Sequence, residues 1–288
     1  MKGPLLLVSD MDHTLLDEAS HLSRGNLEAI RRHVEGGGLF TVATGRAPAA
    51  IRVFPQLLPY IGLPVITGNG GQLVDLRGGD KILRRWVLPN EVCPLLREAM
   101  DRFPEMGVVA YHGLDGFCSF RVTPYVEGLV AKEKRPAVPT TVDTSPRPWN
   151  KTLMTEEHGY LLEVKEWLDA RLAGLGRTVF SEETYLEILP LGVSKGAALS
   201  VLLEMEGISP EEVVAIGDAP NDREMLELAG IGVAVANAAQ EVKDAADHVV
   251  CSNDEDAVKA CLERTAARND RAATDLRIAS MEADGLTL

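Results

Sequence analysis

Cysteine is scarce in this chain, and the few cysteines present are scattered. Only four occur among 288 residues, none of them in a Cys-x-x-Cys spacing, and no histidine accompanies them in the pattern of a zinc site. The sequence therefore gives no sign of a disulfide framework or of structural zinc. We expect a reduced, cytoplasmic protein.

Positive charge and long apolar runs are scarce as well. No segment is apolar for long enough to span a bilayer, and the short apolar run at residues 5–8 is followed at once by Asp10 and Asp12, unlike a signal peptide. There are 29 basic and 43 acidic residues, giving a net charge of −14. This charge disfavours nucleic acid or an anionic membrane surface as the main partner, and we expect neither.

The most informative stretch is residues 5–16, which read LLLVSDMDHTLL. The apolar residues predict a strand buried on both faces, and Asp10 and Asp12 follow where that strand ends. In an open α/β sheet, ligands bind beyond the carboxyl ends of the strands. Two carboxylates this close repel each other, so the spacing indicates a Mg²⁺ site, a shared proton, or both.

The same pattern, a buried strand followed by a polar loop, recurs along the chain. It is found at residues 39–43 before Thr44-Gly45-Arg46, at 65–67 before Asn69-Gly70-Gly71, and at 213–216 before Gly217-Asp218-Ala219-Pro220-Asn221-Asp222. Repeated units of this kind predict an α/β fold, with parallel strands joined by crossover helices. We expect one such helix at about residues 47–58.

The α/β pattern is interrupted in the middle of the chain. From about residue 81 to residue 187 helices alternate with hairpin-like strands, which predicts an inserted α+β unit. At 288 residues the chain is also long enough for two domains. We therefore expect a core domain made of residues 1–80 and 188–270, an inserted cap domain at 81–187, and a C-terminal tail at 271–288 that is a surface helix or disordered.

The polar loops resemble, in order, the four motifs of the haloacid dehalogenase-like phosphohydrolases. The motifs match as DxDxT from Asp10 to Thr14, a threonine at Thr44, a lysine at Lys195, and GDxxND from Gly217 to Asp222. The insert between the second and third motifs, with EILP at 187–190 and VSKG at 193–196, is similar to the Cof-type group with its type IIB cap. Two positions depart from the pattern: His13 and Ala219 stand where the family usually or often has glycine.

The resemblance implies a Rossmann-like parallel-sheet core, an inserted α+β cap and a Mg²⁺-dependent phosphatase. Asp10 would attack phosphorus and form an aspartyl-phosphate, and Asp12 would act as general acid and then as general base, for which we expect a raised pKa. The implied metal ligands are Asp10, the backbone carbonyl of Asp12, and Asp218. Asp222 would hold a metal-bound water or Lys195.

Other residues are expected to bind the substrate phosphate: Thr44, Gly45, Lys195 and Asn221. Outside this context Thr44 would be read as a helix cap and Lys195 as a solvated charge. Arg46 is expected to pair with a carboxylate near the first motif, and the charged run at residues 132–135 to be a solvated helix end. Candidate substrate contacts in the insert are His112, Asp115, Arg121, Tyr125 and Lys151.

Three functions remain open from the sequence. The first is hydrolysis of small phosphorylated metabolites, with sugar phosphates as the favoured class. The second is a phosphomutase or phosphotransferase that uses the same aspartyl-phosphate, and the third is a non-catalytic phosphate-binding regulator. The intact Asp10, Asp12, Lys195 and Asp218 speak against the third, because a binder needs neither a nucleophile nor an acid. We expect a monomer or homodimer whose partner is a small phosphorylated metabolite.

Overall fold

The structure, a computed structural model, describes residues 5–265, so the predicted tail at 271–288 lies outside the described residues. Its strands are β1 (Leu6–Ser9), β2 (Leu39–Val42), β3 (Val65–Thr67), β4 (Gln72–Asp75), β5 (Lys81–Arg85), β6 (Gly107–His112), β7 (Gly116–Arg121), β8 (Val138–Pro139), β9 (Trp149–Thr155), β10 (Arg177–Glu182), β11 (Tyr185–Leu189), β12 (Val213–Gly217), β13 (Ile231–Ala234) and β14 (His248–Val249).

Helices cover both the core and the insert. The α-helices are α1 (Arg24–Glu35), α2 (Pro48–Ile51), α3 (Val92–Arg102), α4 (Pro124–Glu133), α5 (His158–Asp169), α6 (Lys195–Glu206), α7 (Arg223–Leu228), α8 (Gln240–Ala245) and a last helical stretch at residues 257–265. Short 3₁₀ turns lie at Leu58–Tyr60, Gly68–Gly70, Pro210–Glu212, Pro220–Asp222 and Asn253–Glu255. In the part of the chain described, no helix has the length and apolarity needed to cross a membrane.

A five-stranded parallel sheet forms the core, in the order β14-β13-β12-β1-β2. β1 lies inside the sheet between β12 and β2, and its residues are fully buried, as its continuous apolar run predicts. The backbone N–H of Asp10 donates to the carbonyl of Ile216 at 2.9 Å, so the ladder between β1 and β12 extends to the first catalytic candidate. The loops after these two strands therefore meet at one edge of the sheet, as predicted.

The strand at residues 65–67 does not continue into the crossover helix that the repeated strand-and-loop pattern predicted. β3 pairs with the parallel sheet through an isolated bridge between Ala43 and Ile66, and then turns back into the antiparallel sheet β3-β4-β5. The reversal occurs at Asn69 and Gly70, which both have positive φ angles of 56° and 97°. The chain thus forms a hairpin where the sequence pattern predicted a crossover.

The helix expected over residues 47–58 is also much shorter. Only Pro48–Ile51 is α-helical, and the chain continues in turns up to a 3₁₀ turn at Leu58–Tyr60. Pro55 and Pro59 lie in this stretch, and a proline inside a helix removes a backbone donor and clashes with the preceding turn. The two prolines therefore prevent a continuous helix over residues 47–58.

The inserted segment (residues 81–187) contributes most of a six-stranded sheet in the order β10-β11-β9-β6-β7-β8. Its strands pair antiparallel except for β7 with β8. Helices α3 and α5 supply buried side chains to one hydrophobic cluster, while α4 packs with Tyr111 and Leu153 in another. The predicted α/β core with an inserted α+β unit is therefore confirmed as the fold class.

The core and the insert have separate hydrophobic interiors. The main cluster of the core gathers buried side chains of the parallel sheet and its helices, whereas that of the insert is formed by residues between Leu88 and Ile188. β5 belongs to the insert by sequence but pairs with β4 of the core hairpin. Several buried polar contacts cross between the two units, and most of them converge on the sheet edge described next.

Candidate active site

Asp10, Lys195 and Asp222 form the centre of the site. Lys195 Nζ donates to Asp10 Oδ1 and to Asp222 Oδ1, both at 2.6 Å, and all three side chains are buried. Lys195 reaches this point because Ser194 caps α6 by accepting from the Ala197 N–H. The sequence prediction that Asp222 holds a metal-bound water or Lys195 agrees with the contact to Lys195.

Asp218 stands beside this group and completes an acidic cluster. Thr14 Oγ1 donates to Asp218 Oδ1 at 2.7 Å, and Asp222 Oδ2 accepts from the backbone N–H groups of Asp218 and Ala219, each at 3.1 Å. Carboxylate oxygens of Asp10, Asp218 and Asp222 lie within 4.8 Å of one another. Hard oxygen atoms at this spacing fit a cation such as Mg²⁺, and Asp10 and Asp218 are the better ligands because both oxygens of Asp222 already accept hydrogen bonds.

The electrostatics of the cluster also fit a cation. Burial raises the pKa of Asp10 to about 7, with the charges of Asp222 and Asp12 adding to the effect and Lys195 opposing it. Burial and the charges of Asp10 and Asp222 raise the pKa of Asp218 well above its ordinary value. Three carboxylates and one ammonium leave two negative charges, which a divalent ion would balance.

Asp12 is in a different environment, because two cations hold its carboxylate. Arg46 binds both oxygens, with Nε–Oδ2 at 2.9 Å and Nη2–Oδ1 at 2.6 Å, and Lys132 Nζ lies 3.3 Å from Oδ1. Burial alone would raise the pKa of Asp12, but the hydrogen bonds and charges of Arg46 and Lys132 lower it below its ordinary value. The expectation of a raised pKa was wrong. The expected pairing of Arg46 with a carboxylate is confirmed.

The loop after β2 brings Thr44 and Gly45 to the same edge. Thr44 is fully buried, and its hydroxyl accepts from the Arg46 N–H at 3.1 Å. A side chain at Gly45 would have little room, because a Cβ there would lie 3.1 Å from the Asn69 amide. Gly45 lines the cavity over Asp10 and Lys195, where the four motif loops meet.

Asn221 belongs to a buried network that also includes two residues of β9 and β11. Asn221 Nδ2 donates to Asn69 Oδ1 at 3.0 Å, and Asn69 Nδ2 donates to Glu187 Oε2 at 2.8 Å. Lys151 Nζ donates to Glu187 Oε1 at 2.7 Å and to the Gly45 carbonyl at 3.0 Å. Asn221 Oδ1 is buried without a partner among the described residues, so it is available to a ligand.

A small cavity of about 50 Å³ lies between the motif loops and the inserted segment. Of the five candidate contacts predicted in the insert, only Lys151 lines it. Arg121 instead donates to the backbone carbonyls of Met100 and Phe103, and Asp115 accepts from the Ala49 N–H, which gives both a structural role. His112 and Tyr125 are not among the lining residues either.

His13 departs from the family pattern and adopts a conformation that explains why glycine is usual there. Its φ angle is 55°, a left-handed value that a residue with a side chain adopts less readily than glycine. The backbone carbonyl of His13 accepts from Asn237 Nδ2 at 2.8 Å, and its Nδ1 lies 3.1 Å from Glu18 Oε1. His13 lines the cavity from the core side.

Sequence reasoning missed two residues of the insert. The sequence predicts that Lys132 lies in a solvated helix end, yet it contacts Asp12, binds Glu182 and lies 5.8 Å from the Tyr185 ring. Glu187 belongs to the EILP motif, and nothing else in the sequence indicates that it reaches the site. A periodicity signal existed for Lys132, since Val126 and Leu129 of the same helix are buried and Lys132 follows at a spacing of three residues.

A carboxylate loop follows each of two adjacent parallel strands, a buried lysine stands between them, and an inserted α+β unit lies over the site. Fold and site together define a class of α/β enzymes with an inserted unit beside the sheet edge. The sequence model of the haloacid dehalogenase-like hydrolases matches residues 7–262. The chain therefore belongs to this family, as the four motifs predicted.

Individual relatives agree with this membership. The chain is 30% identical over 274 residues to the 5-amino-6-(5-phospho-D-ribitylamino)uracil phosphatase YwtE of Bacillus subtilis, covering 86% of this chain and 93% of that protein. It is 33% identical to a haloacid dehalogenase-like hydrolase of known structure from Bacteroides thetaiotaomicron, with a TM-score of 0.79 and coverage of 91% and 99%.

A third relative is a longer protein. The chain is 31% identical over 280 residues to the chloroplastic endoribonuclease YBEY of Arabidopsis thaliana, covering 89% of this chain. It spans only 46% of that protein's length. More than half of that longer protein lies outside the alignment, so its name says nothing specific about the part that resembles this chain.

Proposed function

We propose that the protein is a Mg²⁺-dependent phosphatase that hydrolyses small phosphorylated metabolites, with sugar phosphates as the favoured class. The observation that carries this proposal is the buried contact of Lys195 with both Asp10 and Asp222 beside Asp218. It combines a nucleophile, a cation for the phosphate oxygens and a set of metal ligands at one sheet edge. The name of the Bacillus subtilis relative, a phosphatase of a ribityl phosphate, supports the same reaction class.

Asp10 is the proposed nucleophile. One carboxylate oxygen attacks phosphorus, the bond from phosphorus to the leaving oxygen breaks, and an aspartyl-phosphate forms. A water then attacks the same phosphorus, inorganic phosphate leaves and the Asp10 carboxylate is restored. The contact between Lys195 Nζ and Asp10 Oδ1 orients the nucleophile and places a positive charge where the transferring oxygens would lie.

Asp12 is the proposed acid and base. In the second step it takes a proton from the attacking water, and the ionised form held by Arg46 and Lys132 suits that role. In the first step it gives a proton to the leaving oxygen. Because Arg46 and Lys132 lower the pKa of Asp12 and favour its carboxylate, we expect substrate binding to weaken one of these two contacts before the proton is transferred.

Mg²⁺ would be held by Asp10, the backbone carbonyl of Asp12 and Asp218. When bound, the ion would neutralise the acidic cluster and polarise a phosphate oxygen. Asp222 stands behind these ligands, since its Oδ1 accepts from Lys195 and its Oδ2 from two backbone N–H groups. Thr14 orients Asp218 through its hydroxyl.

Thr44, Gly45, Lys195 and Asn221 are the proposed phosphate ligands, and residues 81–187 are the proposed cap. The cap would exclude water and contact the leaving group, because its residues form one wall of the cavity. The core at 1–80 and 188–270 would then hold the phosphate itself. The small size of the cavity implies that the cap has to open for substrate entry.

The experiment is a release assay on the purified protein. A panel of sugar phosphates, other phosphorylated metabolites and an aryl phosphate is incubated with and without Mg²⁺, and both inorganic phosphate and isomerised products are measured. We expect Mg²⁺-dependent release of phosphate. Isomerised sugar phosphate without phosphate release would show a mutase, and phosphate binding without turnover of any substrate would show a binding protein.

A further inference from the structure

A buried ion pair in the inserted segment reaches into the core. Lys151 on β9 and Glu187 on β11 are each 1% exposed, and their Nζ–Oε1 distance is 2.7 Å. They lie on the same face of the sheet because Leu153, two residues from Lys151, pairs with Glu187 in the antiparallel ladder. Residues of opposite charge placed diagonally in this way can form a contact across the strands.

Each member of the pair also forms a hydrogen bond with a loop of the core. Lys151 Nζ donates to the Gly45 carbonyl at 3.0 Å, and Glu187 Oε2 accepts from Asn69 Nδ2 at 2.8 Å. Asn69 Oδ1 in turn accepts from Asn221 Nδ2 at 3.0 Å. One end of the pair thus contacts the loop after β2, and the other reaches the loop after β12 through Asn69.

Asn69 acts as a tightly fitted spacer between these two loops. Its backbone N–H donates to the Thr44 carbonyl at 3.0 Å, and its amide would lie 3.1 Å from a Cβ at position 45. Glu187 is an acceptor only, so it fixes Asn69 with its NH₂ group towards Glu187 and its oxygen towards Asn221. A shift of Glu187 would therefore move both Gly45 and Asn221.

Stability does not account for this arrangement. The desolvation of two charges offsets much of their attraction, and apolar residues of similar volume often serve a fold equally well. The pair is nevertheless fully satisfied, because Ser181 Oγ also donates to Glu187 Oε1 at 2.9 Å and the Tyr111 ring lies 4.7 Å from Lys151 Nζ. The specific contribution of the ion pair is to fix the positions of the Gly45 carbonyl and of Asn69.

We propose that Lys151 and Glu187 are positioning residues for phosphoryl transfer, which set the spacing between the Gly45 loop and Asn221. The proposal rests on the phosphatase function proposed above. It means that the phosphate site is complete only when the cap is seated on the core. The two residues act through Gly45, Asn69 and Asn221, so their effect concerns the phosphoryl group and not the leaving group.

The test uses the double variant Lys151→Met/Glu187→Leu, because a single substitution would leave an unpaired buried charge and could prevent folding. We expect the double variant to fold with a lower melting temperature than the wild type, because the Gly45 carbonyl and the Asn69 amide each lose a hydrogen-bond partner. In the Mg²⁺-loaded protein we expect kcat/KM to fall by about tenfold or more, the factor for one lost charge-assisted hydrogen bond. The decrease in kcat/KM should be the same for an aryl phosphate and a sugar phosphate. Inorganic phosphate should bind more weakly to the double variant than to the wild type.

The matched control is Arg177→Met, which removes a different ion pair between the insert and the core, that of Arg177 with Glu224. It should leave kcat/KM and phosphate affinity within about twofold of the wild type. The proposal is overturned if the double variant keeps both values, if Arg177→Met loses as much, or if the loss depends strongly on the leaving group. A wild type that hydrolyses no phosphomonoester would overturn the phosphatase function instead, and phosphate affinity would still test the positioning role.

Discussion

At the scale of single residues, two aspartates that are one residue apart have opposite environments. Asp10 faces Lys195 and the acidic cluster, and burial raises its pKa to about 7. Asp12 faces Arg46 and Lys132, which lower its pKa against the effect of burial. The sequence spacing alone predicted repulsion between the two. The cations that give the two aspartates different pKa values come from distant parts of the chain, and one of them, Lys132, belongs to the insert.

The raised pKa of Asp10 leads to a prediction for pH. Between its ordinary value of 3.8 and about 7 the folded protein binds more protons than the unfolded chain, so without metal this group lowers the stability as pH rises through that range. Mg²⁺ requires the ionised carboxylates and relieves their repulsion. We therefore expect Mg²⁺ to raise the melting temperature more above pH 7 than at pH 5.

Thermal melts at both pH values, with and without Mg²⁺, provide the measurement. Asp101→Asn on α3 is a suitable control, because it removes an exposed carboxylate of the insert and should leave the response unchanged. An equal rise at both pH values, or a larger one at pH 5, would contradict the assignment of Asp10 and Asp218 to the metal site.

At the scale of elements, the hairpin after β3 supports the start of α6. Gly70 has a φ angle of 97°, and a Cβ at this position would lie 2.2 Å from the Ser194 carbonyl oxygen. Ser194 is the residue that caps α6, directly before Lys195. The turn and the helix terminus thus fit only if position 70 has no side chain.

Gly70→Ala should therefore both destabilise the fold and displace Lys195. We expect the free energy of unfolding to fall by more than the ~1–3 kcal/mol of backbone strain, with a loss of phosphate release. Gly78→Ala separates the two effects, since Gly78 has a similar φ angle of 94° but open space around its position. Denaturant unfolding and release assays on both variants test this. Equal losses of stability with unchanged activity would show that the contact with Ser194 is unimportant.

Most elements could be predicted from the sequence, and the exceptions have local causes. Buried strands such as β1, β3 and β12 have continuous apolar runs, and their positions agree with the structure to within one or two residues. The pairing of β3 could not be predicted, because an apolar run does not specify which strand lies beside it. Periodicity indicates that Lys132 shares the buried face of its helix, but the core residues that Lys132 and Glu187 contact depend on how the insert packs on the core, which periodicity does not specify.

At the scale of the whole molecule, the core and the insert have separate apolar interiors joined by polar contacts. Leu88 and Leu189 both lie near Gly176, so the two ends of the insert are close together. We expect that replacing residues 88–188 by a short Gly/Ser linker, which retains β5, leaves a folded core. The core should hydrolyse a small aryl phosphate weakly and lose discrimination among sugar phosphates.

Circular dichroism and a substrate panel measure the two parts of this prediction. Weak activity is expected because the truncation also removes Lys132, Lys151 and Glu187 from the site. A folded core that kept the ranking of sugar phosphates of the full chain would show that the insert does not set specificity. The specificity contacts would then have to lie in core loops such as those at His13 and Asn69.

The central claim is that Asp10 carries the phosphoryl group, and it is tested most directly by measuring phosphate release with Asp10→Asn. The substitution keeps the size of the side chain and removes the nucleophilic carboxylate. With Mg²⁺ present and the fold verified by circular dichroism, we expect the variant to be slower than the wild type by about a thousandfold or more on every substrate that the wild type hydrolyses. Release at the rate of the wild type would contradict the account.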